Sequence, residues 1–314
     1  MAQSFRGLPL QKIPQGWRAS DIPNLEGKRF LVTGGTSGLG REIARELARA
    51  GAQTIITGRS QEKISQTIDE ISRHRVIGVE LDLADLESVR RAARQIDQPV
   101  DVLILNAGIM AVPENKTRDD FELQLGTNHL GHFAFAGLLR EKVTERIVSV
   151  SSQAHRTASF GSGTIEELTK IARGENSYSP WGAYSASKLA NLLFAFELQR
   201  RSKNWKFQSF AAHPGYSNTN LQSVGPKARG SHVEERLVAL SNSLIAQSAR
   251  LGALPILCAA TFPHLYGGSY IGPDGLLEMR GYPKATRARA IAYDQILAQN
   301  LWHVSEELTG VYWR

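Results

Sequence analysis

From residue 29 to residue 215 the chain alternates two hydrophobic patterns. Short β-branched runs, apolar at nearly every position, are each followed by a stretch in which apolar residues recur every three or four positions. "RFLVTG" (29–34) leads into "LGREIARELARAG", and "QTIIT" (53–57) into "SQEKISQTIDEIS". "VIGVELDL" precedes "DLESVRRAARQI", and "VDVLILNAG" precedes "DDFELQLGTNHLGHFAFAGLLR". "ERIVSVSS", the helical "WGAYSASKLANLLFAFELQR" and "KFQSFAAHPG" complete the series. Strands apolar on both faces belong to a buried parallel sheet, and their alternation with helices gives right-handed βαβ crossovers. The pattern predicts an α/β fold with a doubly wound, mostly parallel sheet of seven strands flanked by helices. "GGSYIGPDG" reads as the last strand, followed by a helical region to Arg314. No Pro-, Gly- or Ser-rich linker divides the series, so one domain is expected over residues 25–314 after an N-terminal arm, 1–24.

Composition narrows the class. Hydrophobic residues make up 42% and charged residues 21%, which argues for a globular chain and against disorder. The single cysteine, Cys258, cannot form an internal disulfide or a multi-cysteine metal site, and suits a reducing cytoplasm. The first residues hold no signal-peptide run. "LIAQSARLGALPILCAATF" is interrupted by Arg250 and Pro255, so it reads as a buried helix pair rather than a membrane span of about 20 apolar residues. The expected location is cytoplasmic, without an integral membrane segment. The net charge of +7 comes from scattered basic residues, which points to a phosphorylated small molecule rather than to nucleic acid.

Candidate chemistry sits at the predicted strand ends. "TGGTSGLG" (33–40) falls between the first strand and the first helix; Gly34, Gly38 and Gly40 let the backbone approach a pyrophosphate at a helix N-terminus. Leu39-Gly40-Arg41 replaces the Gly-Lys-Ser/Thr that a P-loop requires. The second strand ends in "TIITGRS", with Arg59 and no nearby acid; a guanidinium there suits the 2′-phosphate of NADP, and otherwise Arg59 is a solvated loop charge. Asp82 of "LDL" could accept from an adenine amino group, and Asn106, Ala107 and Gly108 are small enough to line a cofactor. "YSASK" places Tyr184 and Lys188 one helical turn apart on one face, which alone fits either a solvated surface turn or a catalytic acid beside a cation.

Taken in order, "TGGTSGLG", "LDL", "NAG", "GTNHLGHF", "VSVSS", "YSASK" and "HPGYSNT" resemble the short-chain dehydrogenase/reductase family over residues 25–285. The interval between "VSVSS" and "YSASK", with "GPDGLLEMRGYP" and "LWHVSEELTG", resembles its retinol-dehydrogenase-like subgroup. The resemblance implies a Rossmann fold, an NAD(P)-dependent activity on alcohols and carbonyls, and a catalytic tetrad of Asn128, Ser152 (rather than Ser151), Tyr184 and Lys188. It also carries Thr36, Ser37, Leu39, Leu83, Pro214, Gly215 and Thr219 into the cofactor site. NADP(H) is favoured over NAD(H), no metal is implied, and homo-oligomerisation is left open.

On this reading Tyr184 protonates the developing alkoxide, or deprotonates an alcohol in reverse. Ser152 fixes the same oxygen. Lys188 lowers the proton affinity of the phenol from its usual value of about 10, and Asn128 holds a water linking Lys188 to solvent. His129 and His132 read as packing or hydrogen-bonded residues rather than metal ligands, since no carboxylate or cysteine accompanies them. A lid at about 216–250, with Gly225, Pro226 and Gly230 as hinges, and the aromatics Phe160, Trp181 and Tyr216 suggest an apolar substrate. Each aromatic has a core role as its alternative. Two other functions remain: a dinucleotide sensor without turnover, and a membrane-surface enzyme acting on lipid.

Overall fold

The computed structural model describes residues 10–216 and 248–313. In chain order the strands are β1 (Arg29–Val32), β2 (Gln53–Gly58), β3 (Val76–Glu80), β4 (Val100–Leu105), β5 (Val143–Val150), β6 (Gln208–Ala212), β7 (Tyr270–Pro273) and β8 (Pro283–Thr286). The α-helices are α1 (Gly38–Arg49), α2 (Gln61–Ile71), α3 (Leu86–Gln95), α4 (Gly131–Leu139), α5 (Ile165–Arg173), α6 (Pro180–Arg201), α7 (Ala249–Thr261) and α8 (Gln295–Thr309).

One sheet runs in the order β3-β2-β1-β4-β5-β6-β7-β8. Its first seven strands are parallel, with registers such as Leu31↔Ile55 and Leu31↔Leu103, and helices cover both faces. This is the doubly wound Rossmann fold. The chain moves outward in opposite directions from β1 and β4, so the ligand crevice of such a sheet opens beyond their carboxyl ends.

The sheet has eight strands rather than seven. β8 pairs antiparallel with β7, Tyr270↔Thr286 through Pro273↔Pro283, within the stretch expected to be helical. The segment "PKAT" has neither apolar alternation nor length, and its proline fits only an edge strand. Its pairing comes from the hairpin turn, which hydropathy does not register.

Side-chain alternation divides the core between the faces. Phe30, Val32, Val102, Ile104, Val148 and Phe210 pack with α1 and α7 on one side. Leu31, Leu103, Leu105 and Ile147 pack with α3, α4, α6 and α8 on the other. Burial on both faces is why the strand sequences lack a polar alternation. The N-terminal segment is not detached: Trp17 is buried in the first cluster and Gln11 bonds the backbone of His264 and Tyr266.

Helix α6 is the element that matters most for chemistry. Ser179 caps it, accepting from Gly182 N, and Pro180 starts it. Residues 184–198 are all buried between the sheet and α8, so packing on every side of the helix holds Tyr184 and Lys188 in place.

Candidate active site

The glycine turn after β1 and the "NAG" turn after β4 meet at the sheet's switch point. Thr33 N donates to Ile104 O, and Asn106 Nδ2 donates to Thr33 O at 2.8 Å. A Cβ on Gly40 would lie 2.2 Å from Gly34 O and 2.6 Å from Asn106 Nδ2, so only glycine lets α1 start this close to the turn. Gly34 and Gly38 both adopt left-handed φ, +67° and +51°.

The start of α1 differs from those of six other helices; α4, which continues out of the preceding helical turn, has no side-chain cap either. Ser60, Asp85, Thr164, Ser179, Ser248 and Asp294 all use their side chains to cap first-turn amides. Ser37, exposed at the N-cap of α1, makes no such bond. An uncapped, glycine-lined N-terminus leaves amides and a hydroxyl for an anion, which fits the pyrophosphate of a dinucleotide. Thr36 lies beside Gly58 of β2, and Leu39 packs on the same core cluster as Trp17.

Arg59 is exposed immediately after β2 and before the cap Ser60. Asp82 is half-buried; its Oδ1 accepts from Ala84 N. Leu83 is buried, and its carbonyl is so close to Gly131 that a Cβ there would meet it at 2.3 Å. Pro214 and Gly215 follow β6, with Gly215 at φ +68°. Thr219 and the expected lid, apart from its ends, lie outside the described residues.

The four tetrad residues come together at the other side of the crevice. Tyr184 is buried, with Ser152 close enough to favour its phenolate. Lys188 Nζ lies 5.6 Å from the centroid of the Tyr184 ring and 3.4 Å from Val150 O. A Cβ on Gly108 would sit 3.4 Å from that ammonium and 3.0 Å from Asn128 Oδ1, which brings the "NAG" loop directly over the pair. Ser151 faces inward and donates to Lys188 O at 2.8 Å, so the two serines have separate jobs.

Asn128 lies in a π-helical turn, Gly126–Leu130, that widens the helix leading into α4. Its Nδ2 donates to Ile109 O and to Ser187 Oγ, both at 2.9 Å, and Ser187 Oγ donates to Tyr184 O at 2.7 Å. Asn128 therefore braces the backbone of the tyrosine. Both amide protons are used and Oδ1 already accepts from Ile109 N at 2.8 Å, leaving only a second lone pair on Oδ1 or on the main-chain carbonyl for water.

That carbonyl also accepts from His132 Nδ1 at 2.9 Å. A carbonyl only accepts, so the network assigns the ring proton to Nδ1. Burial pushes His132 down to about 4, the ring is neutral, and Nε2 accepts from the Thr33 hydroxyl at 2.9 Å. Thr33 Oγ1 accepts in turn from Asn106 N and Ala107 N. His129 bonds Ser305 Oγ at 2.9 Å. Both histidines are thus hydrogen-bonded within the protein.

One electrostatic expectation fails. Burial pushes Tyr184 up to about 12, and the ammonium does not offset it; the Ser152 bond pulls the other way. Burial lowers Lys188 to about 8. Desolvation of each group outweighs their mutual tuning at this separation. Among the aromatics, Phe160 is a core residue, 1% exposed. Trp181 is 56% exposed and meets the Tyr184 ring edge-on at 6.0 Å, and Tyr216 is half-buried beside the "HPG" turn.

Thr33, His132, Gln153, His213 and Glu278 were not singled out by sequence reasoning as part of the site. They act through other residues; Thr33, His132, His213 and Glu278 lie within quoted motifs, and Gln153 directly follows one.

A parallel sheet that opens a phosphate cradle at its switch point, one loop away from a buried phenol, defines a class: NAD(P)-dependent oxidoreductases acting on CH–OH donors. Within that class the chain belongs to the short-chain dehydrogenase/reductase family. The profile described as short chain dehydrogenase matches residues 28–164. The chain is 35% identical to retinol dehydrogenase 14 of Mus musculus, across 99% of this chain and 93% of that protein. It is 34% identical to polyprenol dehydrogenase of Homo sapiens, across 96% and 91%. An uncharacterised protein from Mycobacterium paratuberculosis superposes with a TM-score of 0.80 at 40% identity, covering 96% of this chain and all of that one. A short-chain dehydrogenase from Burkholderia cenocepacia, solved in complex with NADP, gives a TM-score of 0.59 at 25% identity over 79% of this chain and 96% of that one.

Proposed function

We propose that the protein is an NADP(H)-dependent enzyme that interconverts an apolar alcohol with its aldehyde or ketone, with Tyr184 as acid and base. The observation that carries this reading is the buried Tyr184 phenol with Ser152 beside it and the Lys188 ammonium 5.6 Å from its ring on the same helical face. When bound, the dinucleotide supplies or accepts the hydride.

The chain's own groups handle the oxygen and its proton. At neutral pH burial keeps the Tyr184 phenol protonated, which is the form needed to give Oη–H to a developing alkoxide. Ser152 holds the same oxygen, which shares the forming charge. Lys188, still largely an ammonium at neutral pH, stabilises the phenolate left behind. A water returning the proton would be held at Asn128 Oδ1 or its carbonyl, because both Nδ2 protons are engaged.

Ser37 and the amides of residues 38–40 would hold the pyrophosphate, Asp82 and Leu83 the adenine, and Asn106, Ala107 and Gly108 the middle of the cofactor. Pro214, Gly215 and Thr219 would form the nicotinamide end. Arg59, exposed where the adenosine ribose would lie, supports selection of the 2′-phosphate. Relatives named for retinol and polyprenol support an apolar, isoprenoid-like substrate, and exposed Trp181 beside Tyr184 offers it a wall.

The test is oxidation of NADPH and of NADH by the full chain with aliphatic, aromatic and isoprenoid aldehydes and ketones. NADPH-dependent turnover favouring the apolar carbonyls is expected. Binding of NADPH with no turnover across that panel would overturn the reading.

A further inference from the structure

The stretch "GPDGLLEMRGYP" contributes nothing to the chemistry described above, yet its backbone is unusual among the described residues. Leu277 and Glu278 are consecutive non-glycine residues with φ of +51° and +56°, a region that side chains resist. Such strain persists where surrounding contacts over-determine it, and it marks candidate functional positions. Leu277 is 75% exposed and contributes no packing, so the contacts must come from Glu278.

They do. Glu278 Oε2 accepts from Gln153 Nε2 at 2.7 Å and from His213 Nε2 at 3.2 Å. Arg156 Nη2 lies 3.6 Å from the same oxygen, and Thr286 of β8 donates to Oε1. Gln153 directly follows Ser152. His213 directly precedes Pro214 and Gly215. One carboxylate on the β7–β8 hairpin therefore ties together the two loops proposed to hold the reacting oxygen and the nicotinamide.

The direction of the His213 bond is fixed. Gly215 N donates to His213 Nδ1 at 3.2 Å, so Nδ1 is an acceptor and the proton of the neutral ring is on Nε2. That proton needs an acceptor, and Glu278 is it; the nearby Gln153 amide, 3.4 Å from the same nitrogen, can only donate there. The ring is fully buried and has no room to turn, since even a Cβ on Gly272 would come within 2.1 Å of Nε2. The hairpin also grips the loop through backbone: Tyr216 N donates to Met279 O at 2.6 Å, and a Cβ on Gly215 would meet that oxygen at 2.4 Å.

We infer that Glu278 is a positioning residue of the active site, which fixes the His213–Gly215 turn in its nicotinamide-binding shape and aligns it with Ser152. The inference rests on the dinucleotide reading above and adds a residue to it. Replacing Glu278 with leucine would keep the side chain's bulk and leave the His213 Nε2 proton and the Gln153 amide without their acceptor, whereas an amide could still accept both through its oxygen while its NH2 faced the Thr286 hydroxyl.

The experiment compares wild type with Glu278→Leu and Thr286→Val, titrating each with NADPH and separately with adenosine 2′,5′-bisphosphate, and measuring kcat and KM. NADH and ADP serve as the corresponding pair if the wild type binds NADH instead. Glu278→Leu is expected to weaken dinucleotide binding and lower kcat, each on the order of tenfold, while binding of the adenosine half stays unchanged. Thr286→Val leaves both loop bonds in place and is expected to lie near wild type. Equal loss of both ligands in Glu278→Leu would show general disruption and overturn the inference, as would unchanged dinucleotide binding and kcat. A wild type that binds neither dinucleotide would overturn the parent reading and this one with it, so the two failures are distinguishable.

Discussion

Lys188 holds its ammonium 5.6 Å from the centre of the Tyr184 ring, and the two side chains are 3% and 5% exposed. The lysine is therefore buried without a carboxylate partner in the described site, and burial brings it from 10.5 to about 8. In the unfolded chain it titrates at its ordinary value. Between the two values the unfolded state binds more protons, so stability rises with pH across that window. Relative to Lys188→Met, the wild type should gain up to about 3 kcal/mol between pH 8 and pH 10.5, read from urea midpoints. A constant difference would show that the ammonium is not desolvated.

Four buried histidines, His129, His132, His155 and His213, set the acid limb, each lowered chiefly by burial. Burial lowers His129 to about 3 and His132 and His155 to about 4. His155 shows why: Nδ1 donates to Ser152 O at 2.6 Å while Nε2 accepts from Arg289 N at 3.2 Å, an arrangement only the neutral ring satisfies. Because these folded values lie below the ordinary 6.5, their stabilisation is complete above that pH and is lost as pH falls towards 4. Thermal midpoints should fall over this range, and His155→Gln should fall less steeply than wild type.

Arg59→Glu should reverse cofactor choice. A carboxylate at the end of β2 repels a 2′-phosphate and accepts from a ribose 2′-hydroxyl. The ratio of kcat/KM for NADPH over NADH should drop on the order of tenfold to a hundredfold. An unchanged ratio would return Arg59 to the role of a solvated charge.

Gly40→Ala tests the cradle. Its methyl would lie 2.2 Å from Gly34 O, a backbone atom that cannot swing aside. A loss of about 1–3 kcal/mol in stability is expected, with weaker dinucleotide binding. Neutral substitution would mean that α1 can retreat from the turn.

The sheet's inner strands and the order of the motifs were legible because burial on both faces writes itself as unbroken apolar runs, and the glycines mark where backbones touch. β8 was not, since "PKAT" is paired by a turn and carries no pattern of its own. The four residues proposed as a tetrad were legible as motif positions, Ser152 just after β5, Asn128 in a helical turn and Tyr184 and Lys188 on α6. Their supports were not: Asn128 reaches Tyr184 through Ser187, and His132 reaches Asn128 from Thr33, across contacts made only on folding. The Tyr184–Lys188 spacing suggested mutual tuning, but spacing does not reveal burial, and burial decides both proton affinities.

The most direct measurement is the turnover of Tyr184→Phe beside wild type on the same apolar carbonyl, with dinucleotide binding titrated in both. Loss of the hydroxyl should lower kcat at least about a hundredfold, the scale of general acid catalysis, with binding changed less than about threefold. Turnover retained within about tenfold of wild type would contradict the assignment of Tyr184 as the acid.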